Sequence, residues 1–432
     1  MPLRICSSPD PISLRQSLAR RATPHVPETE IQVRAILQAV QTEGDEALAR
    51  YTAQFDWPEA TTHDIRVPED DIAAAHIPEA DVQAIAEAAA RIRAFHERQR
   101  RTSWFTHSPD AILGQMVLPV ERAGLYVPGG KGGDTPLISS LLMTAIPAQV
   151  AGVGQIAVAT PPRPDGSVNP YLLATARMLG ITEIYRMGSA WAVAALAFGT
   201  PTVAPVDVIV GPGNIYVTMA KSLVSGMVGI DMLAGPSEIT IIADASAHPR
   251  ILAADMLSQA EHDTLASAVL ITPDPNLAQA VREEIEQQLA ALPRADLARQ
   301  ALKDWGIVAV VADLKAAIDL ANALAPEHLE LCVADPWALL PQVRHAGAVF
   351  LGHSTPEPMG DYLAGPNHVL PTMGTARFAS ALSVDTFCKT TSVIATTPAY
   401  LARHGATVAR LARLEGLEAH ARSVEARMEG KV

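Results

Sequence analysis

Four short stretches of this chain gather side chains that bind metals or move protons. In SQAEHD, Gln259 and His262 stand three residues apart within a segment of helical spacing, so they can meet on one face. A glutamine carbonyl oxygen and an imidazole nitrogen can then face the same divalent ion. APEHLE sets Glu327 beside His328 after a helical segment at 314–325. A carboxylate and an imidazole can relay protons, and the proline with its implied loop makes a shared cavity feasible for consecutive residues. STPEPMGDYLAGPNHVLPT carries Asp361 and His368 in a Pro/Gly-rich loop. Asp361 can ligate a metal; His368 can do the same or bind a substrate carboxylate. Near the end, LEGLEAHARS holds Glu415 and His420, five residues apart and imperfectly aligned on an ideal helix, so they need not share a role. Together these donors suit zinc or a related first-row divalent ion without calling on cysteine. The competing reading is a network of capped helix ends and surface histidines.

Two glycine-rich loops offer different chemistry. Gly129, Gly130, Gly132 and Gly133 precede one helix-like segment, and Gly211 and Gly213 precede another. Glycine lets backbone approach a ligand closely, and a following helix N-terminus favours negative charge. Tyr126 could add a flat contact, and Asn214 a donor and an acceptor. The plain alternative is tight turns. Neither loop is a G-x-G-x-x-G dinucleotide fingerprint at a strand-to-helix junction or a G-x-x-x-x-G-K-[ST] phosphate loop, which lowers the ordinary nucleotide readings.

Elements must hold these residues in place. Residues 26–103 show amphipathic spacing that predicts three helices. After RAGLYVPGGKGGDTP, short apolar strands (QIAVAT, EIYRM, VDVIV) alternate with helices (SSLLMTAIPAQVAG, VNPYLLATARMLG, AWAVAALAFG, YVTMAKSLVSG). A second series follows with strands EITIIAD, SAVLITPD, IVAVVAD and AVFLG. Such alternation predicts parallel sheets covered on both faces. The expected fold class is α/β, with two Rossmann-like parallel-sheet domains and additional helical N- and C-terminal regions. The expected division is an N-terminal arm at 1–25, a first α/β domain with helical elaboration from 26–130 and 237–380, a second Rossmann-like domain at 131–236, and a helical C-terminal domain at 381–432. The tail from Tyr400 to Met428 returns to helical periodicity, with alanines, leucines and arginines throughout.

Composition sets outer limits. The chain has 432 residues, 49% of them hydrophobic and only 18% charged, enough for several cores and too apolar for global disorder. A formal net charge of −13 argues against nucleic acid or an acidic membrane surface as the main partner. Cys6, Cys332 and Cys388 are far apart and form no CxxC pair, which fits a reducing compartment. The basic start lacks the apolar core of a secretory signal, and the most apolar stretch, 141–160, is broken by Pro147, Gln149, Gly152, Gly154 and Gln155. It reads as helix, turn and buried strand. The expected location is cytoplasmic.

The order and spacing of GLYVPGG, GPGNIYVTMAK, GIDMLAGPSE, DMLSQAEHD, APEHLE, FLGHSTPEPMGDYLAGPNHVLPT and LEGLEAHARS closely resemble the histidinol dehydrogenase family, from about residue 30 to about residue 425. The resemblance implies zinc ligation by Gln259, His262, Asp361 and His420, and acid/base chemistry by Glu327 and His328. It implies substrate contacts from the ligands and His328 together with Ser237, His368 and Glu415, and an NAD site near Tyr126 and Asn214. It also implies a homodimer in which the C-terminal part, with Glu415 and His420, completes the partner's site. The implied activity is the four-electron oxidation of L-histidinol through L-histidinal to L-histidine with two NAD. Two departures stand out. The KGGDTPLI connection is longer than in some relatives. GSAWAVAAL places Ser189 and Trp191 where a GGAQ-like pattern has Gly and Gln, so Trp191 either alters an NAD contact or fills space beside the cofactor. Competing functions are a dehydrogenase for another polar amino alcohol and a noncatalytic zinc/NAD-binding regulator.

Overall fold

The computed structural model describes residues 3–21, 27–130 and 133–429. These form two compact units, Met1–Gln99 with Glu121–Phe387, and Arg100–Val120 with Cys388–Val432. Lys131 and Gly132, within the longer glycine-rich connection, lie outside the described residues.

The first unit contains two parallel sheets. One has six strands in the spatial order Arg4–Ser7, Ile307–Val310, Ser267–Thr272, Glu238–Ala243, His328–Cys332, Ala348–Leu351. Its central strands are buried along their whole length, which is why they read as near-continuous apolar runs. The helices Pro249–Ala260, Pro275–Leu289 and Ala295–Trp305 cover one face, through Leu252, Met256, Val281, Ile285 and Leu302. Pro11–Ala19 and Leu314–Leu324 cover the other, through Leu14, Leu18, Ile318 and Leu324. Helix starts follow simple capping chemistry: Asp274 and Asp313 each accept a backbone N–H from the first turn they precede.

The other sheet has five strands in the order Glu183–Arg186, Gln155–Thr160, Arg122–Tyr126, Val208–Val210, Gly229–Ile230. The chain leaves the central strand Arg122–Tyr126 first toward one edge and then returns to build the other. Its loop and the loop after Val208–Val210 therefore leave side by side from the carboxyl ends of neighbouring strands, where parallel sheets bind ligands. The helices Pro27–Glu43, Asp45–Phe55, Ser189–Phe198 and Ile215–Val224 share a core with this sheet. Strand Arg122–Tyr126 and helices Pro27–Glu43 and Asp45–Phe55 thus pack with the five-stranded sheet, whereas the sequence grouped residues 26–130 with 237–380. Periodicity fixes an element's apolar face but not which sheet that face meets.

Where three helices are expected in 26–103, four form: Pro27–Glu43, Asp45–Phe55, Glu69–Ala74 and Glu79–Glu97. Gly44, at φ +61°, separates the first two. Helix Ile138–Ala151 runs through Pro147 and stops at Gly152 in the left-handed conformation.

The second unit holds an antiparallel sheet, Cys388–Thr396 against Ala111–Pro119 against Trp104–His107, and a helical hairpin, Pro398–Leu414 and Glu418–Met428. The helical tail is as expected. The three strands were not foreseen, because they are mostly exposed and carry no buried apolar alternation. Gly405 lets the two helices close on each other: a Cβ there would stand 2.5 Å from Met428 Sδ. No helix among the described residues is long and apolar enough to cross a membrane.

Candidate active site

Glu238–Ala243 and His328–Cys332 are parallel neighbours with His328 opposite Ile239, so their amino ends lie together. The residues there are polar and buried: Glu238, Glu327 and His328. Glu238 organises the other two through its backbone. Its N–H donates to Glu327 Oε2 at 2.9 Å, and its carbonyl lies 3.1 Å from His328 Nδ1. A carbonyl only accepts, so Nδ1 carries the hydrogen and Nε2 presents a lone pair. That Nε2 is buried without a hydrogen-bond partner, with Glu357 Oε1 3.8 Å away. Buried Arg21 ion-pairs with the Glu238 carboxylate, and the Met373 N–H donates to its Oε1 at 3.0 Å. His328 thus opens a buried strand instead of lying in the loop that APEHLE suggested. The strand HLELC escaped notice because, although both its faces are buried, one of them carries His328, Glu330 and Cys332, which breaks the apolar run that marks a buried strand.

Helix Pro249–Ala260 delivers Gln259 in its last turn, and His262 follows in the turn beyond, its N–H bonded to the Gln259 carbonyl at 3.2 Å. The two are therefore not stacked within one helix, as their spacing predicted; the helix ends between them. Gln259 Oε1 is buried with no hydrogen-bond partner. The short helix Glu357–Tyr362 contributes Glu357 and Asp361, one turn apart. His262, Glu357 and Asp361 bring a potential ligand atom each to within 4.8 Å of one another. His368 Nδ1 sits 3.1 Å from the Asp361 carbonyl and 3.8 Å from its Oδ1. Ser237, half-buried, immediately precedes Glu238.

Electrostatics follow from burial. Desolvation pushes Glu327 well above the usual carboxylate range, and Glu238, Asp361 and Glu357 nearby push the same way. Burial lowers the His328 imidazole to about 4, leaving it neutral at pH 7. His368 is also lowered by burial, against the opposing pull of Asp361. Glu357 is raised by burial and then by Asp361. Behind it, burial raises both Glu330 and Asp255, whose side chains hydrogen-bond to each other. Glu238, Glu357, Glu330 and Asp255 were all missed from sequence. The available signal was the one-turn spacing of Glu357 and Asp361 and the alternation of His328 with Glu330.

The glycine-rich loops are braced from within. Gly211 has φ +118°, and a Cβ there would stand 2.1 Å from the Tyr126 carbonyl oxygen. Its N–H donates to Asp231 Oδ2 at 2.7 Å, its carbonyl accepts from Lys221 Nζ at 3.0 Å, and Lys221 and Asp231 form a buried ion pair. Asn214 caps helix Ile215–Val224, its side-chain oxygen accepting from the N–H groups of Tyr216 and Val217. Gly213 precedes it; Gly129, Gly130 and Gly133 pack against Pro161, Thr135 and Pro162. The Tyr126 hydroxyl accepts from the Ser189 N–H at 3.1 Å, at the start of helix Ser189–Phe198. Trp191, buried in that helix, stacks on Tyr51 and Phe55 with centroids 6.0 and 5.5 Å away.

Glu415 and His420 lie in the second unit, both exposed within it. Glu415 closes helix Pro398–Leu414, Gly416 turns the chain at φ +76°, and His420 belongs to helix Glu418–Met428. One ideal helix was therefore the wrong frame for their spacing.

A buried glutamine oxygen and a buried imidazole nitrogen, both lacking partners, cost free energy unless something supplies positive charge or a donor. With His262, Glu357 and Asp361 beside one another, the donor set fits a divalent cation of borderline character. Fold and site together define an α/β protein with a buried imidazole–carboxylate pair next to a potential cation site.

Residues 19–428 match the family model described as histidinol dehydrogenase. The chain is 62% identical over 398 residues to a histidinol dehydrogenase of Nitratidesulfovibrio vulgaris, covering 91% of each chain. It is 59% identical over 429 residues to one of Oleidesulfovibrio alaskensis, covering 99% of each. The crystal structure of histidinol dehydrogenase from Elizabethkingia anophelis superposes with a TM-score of 0.92 at 37% identity, covering 99% of this chain and 98% of that one. The chain belongs to the histidinol dehydrogenase family.

Proposed function

We propose that this protein oxidises L-histidinol through L-histidinal to L-histidine, consuming two NAD per product and using one Zn2+. The observation that carries the proposal is the bare, buried Nε2 of His328, 3.8 Å from Glu357 Oε1, where Glu357 itself groups with His262 and Asp361 as potential ligands, while Glu327 Oε2 lies 3.7 Å from Nδ1 of the same ring. Gln259, His262 and Asp361 hold the ion, joined by His420 of a partner subunit in a homodimer. Ser237, His328, His368 and the partner's Glu415 contact the substrate along with the ligands. Tyr126, Trp191 and Asn214 lie toward NAD, at the carboxyl ends of the five-stranded sheet. The three free cysteines suit a reducing cytoplasm.

When bound, Zn2+ would hold and orient the amino alcohol through its amino group and imidazole, and NAD would accept the hydride. His328, neutral and fixed by the Glu238 carbonyl, takes the hydroxyl proton at Nε2. Glu327 keeps one oxygen on the Glu238 N–H and offers the other to the water that adds to the aldehyde. Burial and the neighbouring carboxylates raise its proton affinity, which makes it a strong base once ionised, and a bound Zn2+ would favour that ionisation. Once His328 has released its first proton to solvent, its Nε2 is free to take a proton from the hydrate in the second oxidation. Burial of these groups keeps the reactive aldehyde from bulk water.

The test is product stoichiometry. Purified protein given L-histidinol and excess NAD should yield about two NADH per histidine. Turnover that stops at free histidinal after one NADH overturns the four-electron reading, and absence of NADH formation overturns the activity.

A further inference from the structure

Glu330 is buried in strand His328–Cys332, one step behind His328 on the same face. Its Oε1 accepts the backbone N–H of Glu357 at 2.9 Å, the first residue of the helix that carries Asp361. Its carboxyl also hydrogen-bonds the buried side chain of Asp255, one helical turn before Gln259. Cys332 Sγ stands 3.9 Å from its Oε2. A single side chain therefore touches the three elements that supply the site: the strand with His328, the helix with Gln259 and the helix with Glu357 and Asp361.

We propose that Glu330 is a positioning residue that, paired with Asp255, locks these three elements in the register the metal site requires. The proposal rests on the zinc reading above for its consequence, while the brace itself is a property of the metal-free chain. Strand His328–Cys332 is rigid, paired on both edges. Helix Glu357–Tyr362 is short, six residues, and follows a proline, so little within it fixes its placement. The bond from its first N–H to Glu330 supplies that fixing point, and Asp255 extends it to the third element. Partners that orient metal ligands without touching the metal typically change its affinity 10- to 100-fold, on the order of what is expected here.

The experiment compares wild type, Glu330→Gln and Glu330→Met. Glutamine keeps an acceptor for the Glu357 N–H and a donor for Asp255; methionine fills similar space without an acceptor. Amide hydrogen exchange in metal-free protein reads the brace, and Zn2+ competition against a chelator reads its consequence. The Glu357 amide should be protected in wild type and Glu330→Gln and exchange at least about tenfold faster in Glu330→Met, with Zn2+ affinity falling roughly 10- to 100-fold only in Glu330→Met. An unprotected Glu357 amide in wild type overturns the proposal without any variant, should Glu330→Met not fold. So does a Glu330→Gln protein as impaired as Glu330→Met, or a Glu330→Met protein with wild-type exchange and affinity. A wild type that binds no Zn2+ overturns the metal reading instead, and the exchange data still judge the brace.

Discussion

With Nδ1 held by the Glu238 carbonyl, His328 has one nitrogen left for chemistry, and Glu327 has one oxygen not engaged by the Glu238 N–H. This division separates their expected roles. Glu327→Gln keeps size and one hydrogen bond but removes basicity, so it should slow histidinal oxidation far more than the first oxidation of histidinol. His328→Asn should slow both, each loss being roughly 10²- to 10⁴-fold. Single-turnover NADH formation, started separately from histidinol and from histidinal, distinguishes them; a first step blocked by Glu327→Gln with normal histidinal oxidation would reverse the assignment. His262→Ala removes a nitrogen next to Asp361 and Glu357 while sitting on an exposed turn, so the fold should survive and zinc retention should not. Unchanged zinc content with unchanged turnover rejects His262 as a ligand. At this scale the pairings Glu327–His328 and Asp361–His368 were legible from proximity in sequence. The part of Glu238 was not, since it acts through backbone atoms that every residue possesses.

Elements decide how rigidly these groups stand. The Gly211 loop tolerates no side chain, because φ +118° is strained for any L-residue and its Cβ would meet the Tyr126 carbonyl. Gly211→Ala should therefore cost at least about 1–3 kcal/mol, read as a lower urea midpoint; an unchanged midpoint would show that the loop can move aside. The loop bearing His368 is anchored differently. Asn367 Nδ2 donates to His96 Nε2 at 3.1 Å and to the Met143 carbonyl, and its oxygen accepts from the Val369 N–H. Protonating His96 would set two donors face to face, and burial lowers its pKa from 6.5 to about 4. Between those values the unfolded chain binds a proton that the folded chain does not, so stability is lost as pH falls. Relative to His96→Asn, wild type should lose up to about 3 kcal/mol between pH 6.5 and 4. Parallel urea titrations of the two proteins check this, and identical pH slopes would exclude His96 as the sensor. Apolar strands such as EITIIAD and SAVLITPD were readable because both faces are buried. HLELC is buried on both faces too, but His328, Glu330 and Cys332 on one of them interrupt the apolar run.

For the molecule as a whole, the proposed function assigns Glu415 and His420 to the partner subunit's site. Ile394, Leu411 and Leu414 are large apolar side chains exposed on the second unit. If His420 is supplied by the partner, His262→Ala and His420→Ala homodimers should each be inactive. Mixing and reassembling them should restore about a quarter of wild-type activity, since half the dimers are mixed and each mixed dimer has one intact site. No recovery after verified exchange of subunits would place His420 in its own subunit's site or outside it. By itself the sequence determined the α/β class, the glycine-rich loops and the donor groups, because local periodicity and residue chemistry carry that information over a few turns of chain. Only the tertiary structure decided that Glu238, 90 residues from His328, fixes its tautomer, and that Glu330 ties Asp255 to Glu357. Those contacts arise from parallel strand register and from helices laid across a sheet, and neither is encoded in the spacing of neighbouring residues.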